Sequence, residues 1–426
     1  LSSLKKAINP ARANKRMDHH VFSLANGIRV VVKPGSTEVA HACLLVHSGS
    51  RDEGDGKDGL AHLIEHLLFK RTERRSTNQI LNRLEVVGGD LNAYTTKEYT
   101  CIHASFLRPH LERALDLFED VIFHSTFPEE ELVKEKSVIL DEIASYLDQP
   151  EEAIQDEFEE LVFANHSLGR NILGTPDSVS ALQEKDIREY ISQNYRTNEL
   201  VIGIIGNFDL KKVEALVNKI FGAVPANSPA SKRTKPLINP ATNKRLAKPI
   251  NQSHVLLGTQ AYSAHSPKRE GLLLLNNLLG GMGMSSRLNL EIREKHGIAY
   301  TIESSYIPLS DTGLFTIYLG TDPEKVDKAL KLVDKELKNL RDTALGSLAL
   351  QQAKQKFMGQ IALAEEGRLS LLISLCKSVL DYGMADSLEQ VFAKIERIEA
   401  AQILEIANEI FEPANLSSLI FEPQEF

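Results

Sequence analysis

The chain has 426 residues, too long for one hydrophobic core, and its 42% apolar and 25% charged content is that of an ordinary globular protein. With 49 Lys and Arg against 58 Asp and Glu, the net charge of −9 argues against nucleic acid or an anionic membrane as the main partner. No apolar run approaches the ~18 residues needed to cross a bilayer, so no membrane-spanning helix is predicted.

Residues 21–33 read as a hairpin turning at Asn26-Gly27, a pair suited to the left-handed turn between close strands. Residues 40–48 form a second strand. Asp58 is placed to cap the helix that follows, where Leu60, Leu63, Ile64, Leu67 and Leu68 recur at helical spacing. A further helix near 76–87 leads into Gly88-Gly89-Asp90, and the run 91–104 reads as one long strand. Helices are predicted at 109–123 and 128–148, the second entered at Pro128 and closed before Pro150. Residues 198–206 read as a buried strand and 209–220 as the helix after it.

The stretch 222–250 carries Pro225, Pro229, Pro236, Pro240 and Pro249 among small and polar residues, which is linker composition. It separates a first domain, 1–221, from a second, 251–426. The two resemble each other. A shift of 212 carries Gly59, Leu60, Leu63 and Leu67 onto Gly271, Leu272, Leu275 and Leu279, and a shift of 215 carries Ala114-Leu115 onto Ala329-Leu330. The predicted fold is therefore α+β, two homologous domains from an internal duplication. Under the same shift His62, Glu65 and His66 become Leu274, Asn277 and Leu278, so only the first copy has metal-ligating residues here.

His62 and His66 lie four apart on one helix face, where their imidazoles can hold one metal ion. Glu65, between them, reaches a metal-bound water without being a ligand. This is the H-x-x-E-H order, the H-E-x-x-H zinc-peptidase motif reversed. Two core histidines and an unrelated glutamate are the plainer alternative. A catalytic zinc centre has three protein ligands and one open position. The helix 128–148 offers Glu135 and Glu142, seven apart on one face, but Glu129, Glu130, Glu131 and Asp141 nearby make a solvated acidic face the simpler reading of spacing alone. In the second domain, Arg293 and Tyr300 read by themselves as a surface arginine and a core tyrosine.

Several segments in order resemble the pitrilysin family of inverzincin zinc peptidases, which includes insulin-degrading enzyme and mitochondrial processing peptidase. They are Gly49-Ser50-Arg51-Asp52-Glu53, Gly59-Leu60-Ala61-His62, Glu65-His66, Leu68-Phe69-Lys70, Leu91-Asn92-Ala93-Tyr94-Thr95 and Val138-Ile139-Leu140-Asp141-Glu142-Ile143. Gly169-Arg170-Asn171-Ile172-Leu173-Gly174-Thr175-Pro176 and Ile205-Gly206-Asn207-Phe208-Asp209 are similar to later landmarks. The resemblance implies half of a clamshell, with antiparallel-rich sheets packed by helices. It implies one Zn2+ per chain held by His62, His66 and Glu142, with Glu65 as general base and Glu135 orienting a ligand imidazole. It further implies that a peptide adds as a strand along 91–104, contacting Asn92, Ala93 and Tyr94, and that Arg293 and Tyr300 help polarise the substrate carbonyl.

The expected activity is zinc-dependent endopeptidase cleavage of unfolded peptides or small polypeptides. The alternative from another class is a non-catalytic scaffold or partner subunit of the same family, in which the residues matching His62, Glu65, His66 and Glu142 are commonly lost. Relatives with four such domains carry the zinc motif in the first and the Arg/Tyr pair in the fourth. A two-domain chain holding both is therefore expected to form a homodimeric four-domain clamshell, or a heterodimer with a related subunit, with no nucleic-acid or membrane partner. Cys43, Cys101 and Cys376, odd in number and far apart, fit a reducing compartment, and residues 1–20 lack the apolar core of a signal peptide. The expected location is the cytoplasm, with the periplasm or an organelle left open because the chain begins at Leu1.

Overall fold

A computed structural model describes residues 19–227 and 233–424. The segment 1–18, part of the stretch without a signal-peptide core, and 228–232 of the predicted linker lie outside it. The first half opens with β1 (His20–Ser23), β2 (Arg29–Pro34), β3 (Val39–Val46), α1 (Leu60–Leu68), α2 (Thr77–Glu85), β4 (Asp90–Thr95) and β5 (Thr100–Leu107). It continues through α3 (Leu111–Phe123), α4 (Glu129–Leu147), α5 (Pro150–Val162), α6 (Pro176–Ala181), α7 (Glu184–Asn194), β6 (Leu200–Gly206) and α8 (Leu210–Phe221). The second half comprises β7 (Asn243–Lys248), β8 (Ser253–Ala261), α9 (Arg269–Gly280), β9 (Ala299–Pro308) and β10 (Gly313–Thr321). It ends with α10 (Val326–Asp342), α11 (Ser347–Ala364), α12 (Arg368–Tyr382), α13 (Leu388–Glu396), α14 (Ala400–Ile410) and β11 (Ser417–Pro423).

The strands form two sheets, ordered β1-β2-β6-β3-β5-β4 and β7-β11-β8-β10-β9. Without β1 the two orders correspond strand for strand, down to the parallel pairs β2/β6 and β7/β11 among antiparallel neighbours. The expected duplicated α+β fold is thus present, and β4 and β9 are equivalent edges. One face of the first sheet meets α1, α3 and α8 through Leu44, Ile202, Leu63, Ile64, Phe118 and Phe221. The second sheet packs likewise on α9, α10 and α14 through Phe315, Leu272, Leu275, Val333 and Phe411.

The opposite faces are covered by exchange. Leu372, Leu375, Cys376 and Val379 of α12 pack on Val31, Cys43, Leu45 and Val201 of the first sheet. Ile154 and Phe158 of α5 pack on Leu256, Leu314 and Phe421 of the second. These helices hold equivalent places in the repeated order, so each half lends one to the other. Large apolar side chains contribute about 1.5–3 kcal/mol each on burial, so this exchange binds the halves together strongly.

Three local expectations are corrected. The stretch 222–250 is not wholly linker: 243–248 form β7, a polar strand that pairs with β11 and is an edge among the described residues. The run 91–104 is two strands. Tyr99 N donates to Thr96 Oγ1 and Thr96 N to Tyr99 O, reversing the chain between β4 and β5. Asp58 does not cap α1; that position is Gly59, without a side-chain cap of its own. Among the described residues no helix is long and apolar enough to cross a membrane.

Candidate metal centre

Helix α1 starts where Gly59 adopts φ +90°, and a Cβ there would lie 2.5 Å from Leu173 O. Gly174 answers from the other side: at φ +77°, its Cβ would lie 2.4 Å from Asp58 O. Two backbones thus touch at the helix entrance, which only glycine allows. The free amides of the first turn are satisfied by Glu53, whose buried carboxylate accepts from Gly59 N (3.2 Å) and Ala61 N (2.7 Å). Sequence reasoning missed this role, because a glutamate seven positions before Leu60 becomes a cap only where the folded chain returns it to the helix entrance.

On α1, Leu63, Ile64, Leu67 and Leu68 enter the core, which fixes the rotation of the helix and holds His62 and His66 on one side. Their rings lie 4.6 Å apart at 70°. Helix α4, anchored by Leu132, Ile139 and Ile143, brings Glu142 across, its Oε2 3.8 Å from Nε2 of each histidine. One donor atom from each of the three falls within 4.8 Å of the others. At 3.8 Å these atoms are too far apart to hydrogen bond. Ligands about 2.0–2.1 Å from a common ion would stand at a similar spacing, and two imidazoles with a carboxylate suit zinc. The residues therefore fit a metal ion.

Protonation agrees with that fit. Burial, with a smaller contribution from His66, pushes the His62 pKa down to about 4, keeping its imidazole neutral and able to ligate. His66 Nδ1 lies 3.0 Å from Glu135 Oε2, which turns Nε2 toward His62 and Glu142. Glu135 is buried and its other oxygen pairs with Lys70 Nζ at 2.7 Å. The sequence offered Lys70 one turn after His66, but its partner was not foreseen. Burial raises the pKa of Glu65, and its neighbours Thr95 and His66 draw it back.

The sheet edge β4 runs beside α1, with Leu91 and Ala93 packed toward the same core. Asn92 is exposed, its Oδ1 taking the amide of Ala93 at 2.8 Å. Tyr94 turns to the face covered by α12, edge-on to Tyr99 and on the opposite side of the sheet from His62 and His66, leaving only its backbone on the edge. Arg293 and Tyr300 are not brought to this group. Arg293 is exposed on a π-helical turn, Asn289–Glu294, and the Tyr300 hydroxyl donates to Asp322 Oδ1 at 3.1 Å. The second domain places Leu274, Asn277 and Leu278 on α9 where the first has its polar residues.

Residues 29–176 match the family described as Insulinase (Peptidase family M16), and 181–357 match the Peptidase M16 inactive domain. An uncharacterised zinc protease of Bacillus subtilis is 32% identical over 391 residues, covering 92% of this chain and 95% of its own. One from Streptomyces coelicolor is 34% identical over 396 residues, covering 91% and 86%. In fold, the chain is similar to a protease from Helicobacter pylori (TM-score 0.88, 23% identity, 95% and 99% covered). It is also similar to a peptidase M16 inactive domain from Pseudomonas fluorescens (TM-score 0.87, 21% identity, 96% and 98% covered).

Proposed function

The chain belongs to the M16 (pitrilysin) peptidase family in its short two-domain form, and we propose that it is a zinc-dependent endopeptidase of unfolded peptides and small polypeptides. The observation that carries this reading is the convergence of His62, His66 and Glu142, with Glu65 beside them and, alongside, a sheet edge unpaired among the described residues. His62 Nε2, His66 Nε2 and a Glu142 oxygen would hold the ion. Zinc bound there supplies Lewis-acid polarisation of a carbonyl and lowers the pKa of water to about 7.

The chain's own groups supply the rest. A substrate strand pairs with the free backbone edge of β4, which demands little sequence and suits unfolded segments. The Glu65 carboxylate takes the proton of the attacking water and hands it to the departing amine nitrogen. Its half-buried position beside Thr95 keeps it at that edge. Glu135 holds the His66 ring in the ligating orientation. Arg293 and Tyr300 are assigned to the carbonyl oxygen, contributed by a second copy of the chain in a homodimer.

An intact ligand set together with Glu65 argues against a non-catalytic partner subunit. Glu65→Gln should retain zinc and lose turnover by roughly 10²–10⁴-fold, since it removes the base and spares the ligands. Glu142→Gln should lose the metal as well. Metal content and cleavage of a quenched peptide, measured side by side, test this. Wild-type turnover by Glu65→Gln would refute the mechanism, and undiminished zinc binding by Glu142→Gln would move the third ligand elsewhere.

A further inference from the structure

The turn at residues 49–53 joins four parts of the molecule. Glu53 caps α1, as described above. Ser50 N and Arg51 N donate to Thr96 O (3.1 Å) and Lys97 O (2.9 Å), pinning the turn between β4 and β5. A Cβ on Gly49 would lie 2.2 Å from Thr96 O, so this backbone approach requires glycine. Asp52 takes two hydrogen bonds from Arg233, which follows the undescribed part of the linker.

Arg51 reaches across the domains. Its side chain is 1% exposed and makes a two-pronged pair with Asp311, at 3.0 and 2.8 Å, in the turn between β9 and β10. The same guanidinium meets Glu98 in the β4–β5 turn and Thr234 O. Glu98 completes the circuit by accepting from Ser310 N (2.9 Å) and Ser310 Oγ (2.6 Å). A hairpin whose outer strand is an unpaired edge would ordinarily fray at its tip. Here the tip is held by a carboxylate and a guanidinium, both buried and both bonded to the other domain.

We propose that the second domain anchors the substrate edge of the first, with Ser310 and Asp311 acting through Glu98 and Arg51 as positioning residues for peptide binding along β4. This rests on the peptidase reading above. An edge ordered before the peptide arrives spares the complex the entropy of ordering it. Neither the Glu53 cap of α1 nor the Glu135–His66 contact involves Ser310 or Asp311, so the anchor acts on the peptide edge and spares the three metal ligands.

The test uses the full-length, zinc-loaded protein with Ser310→Ala and Asp311→Asn combined, and with Ser310→Ala alone as the milder change. Losing charge-assisted hydrogen bonds of this kind shifts an equilibrium about tenfold or more. Amides of residues 90–99 should then exchange with deuterium about tenfold faster, while those of α1 keep their protection. For a peptide long enough to pair along β4, KM should rise about tenfold, with a smaller change in kcat. Unchanged exchange and KM in both folded variants would overturn the proposal, as would kcat falling while KM stays the same. A wild-type protein that cleaves no peptide would instead defeat the proposed function, and the exchange measurement would still decide whether the anchor exists.

Discussion

Glu135 stands between two partners, His66 Nδ1 at 3.0 Å on one oxygen and Lys70 Nζ at 2.7 Å on the other, and all three side chains lie at the helix pair that carries the metal group. A buried carboxylate so held fixes both the ring orientation and the tautomer of the histidine, leaving Nε2 as the lone-pair atom. Glu135→Gln keeps an acceptor for Nδ1 but removes the charge and strands Lys70. Zinc affinity should fall about 10–100-fold with the three ligands unchanged. Competition against a chelator of known affinity measures it, and an unaltered dissociation constant would remove Glu135 from the site.

Gly203, in the centre of β6, marks where α12 comes down on the first sheet. A Cβ there would lie 2.4 Å from Cys376 Sγ, 2.7 Å from Cys43 Sγ and 3.0 Å from Leu372 Cδ1, all buried. Gly203→Ala should therefore cost about 1–3 kcal/mol by overpacking, seen as a lower melting temperature. Adding Cys376→Ala removes the nearest clash, so the double variant should lose less than the sum of the two singles. Strict additivity would mean that α12 does not press on this strand.

Much of this arrangement was legible in the sequence because it is local. The apolar spacing of Leu60, Leu63, Ile64 and Leu67 gave α1 and its histidine face, and Asn26-Gly27 gave the first hairpin. The shift of 212 pointed to a duplication that the two sheet orders bear out. What stayed hidden depends on distant partners. Nothing in Glu53, Arg51 or Lys70 announces a helix cap, a domain clamp or a carboxylate partner, since each is defined by where another segment ends up. The exchange of α5 and α12 was invisible for the same reason: an apolar helix face does not say whose sheet it covers. β7 escaped because an edge strand can be as polar as a linker.

The inter-domain cluster should give the protein an acid-sensitive joint. Burial alone would raise the pKa of Glu98, but Arg233, Ser310 and Arg51 outweigh it and the net shift is downward. A carboxylate with a depressed folded-state pKa contributes stability that is fully present above its unfolded value, about 4.3, and is lost as pH falls through the folded value. Glu98→Gln should therefore be less stable than wild type at pH 7, with the difference closing below about pH 4. Other carboxylates titrate in both proteins, so comparing their melting temperatures from pH 7 to pH 3 isolates Glu98. A gap that stays constant across that range would show that its charge is not what matters.

The last expectation concerns how the active centre is completed. Within one chain, the Tyr300 hydroxyl is occupied by Asp322 and Arg293 projects from an exposed π-helical turn, with no hydrogen bond joining either to His62, His66 or Glu142. If a second copy brings them to the substrate carbonyl, the two chains close head to tail so that each first domain faces the other chain's second domain. Such a homodimer makes a sharp demand on mixed assemblies. Glu65→Gln and Tyr300→Phe chains should each be weak as homodimers, the first lacking its base and the second its carbonyl donor. In a mixed dimer, the metal group of the Tyr300→Phe chain keeps Glu65 and receives Tyr300 from its neighbour, so one of the two sites is whole. Activity of the purified mixed dimer should return to about half that of wild type, since one site in two is restored. If both residues act within one chain, every site in the mixed dimer is defective, and verified mixed dimers without recovery would exclude the arrangement in trans.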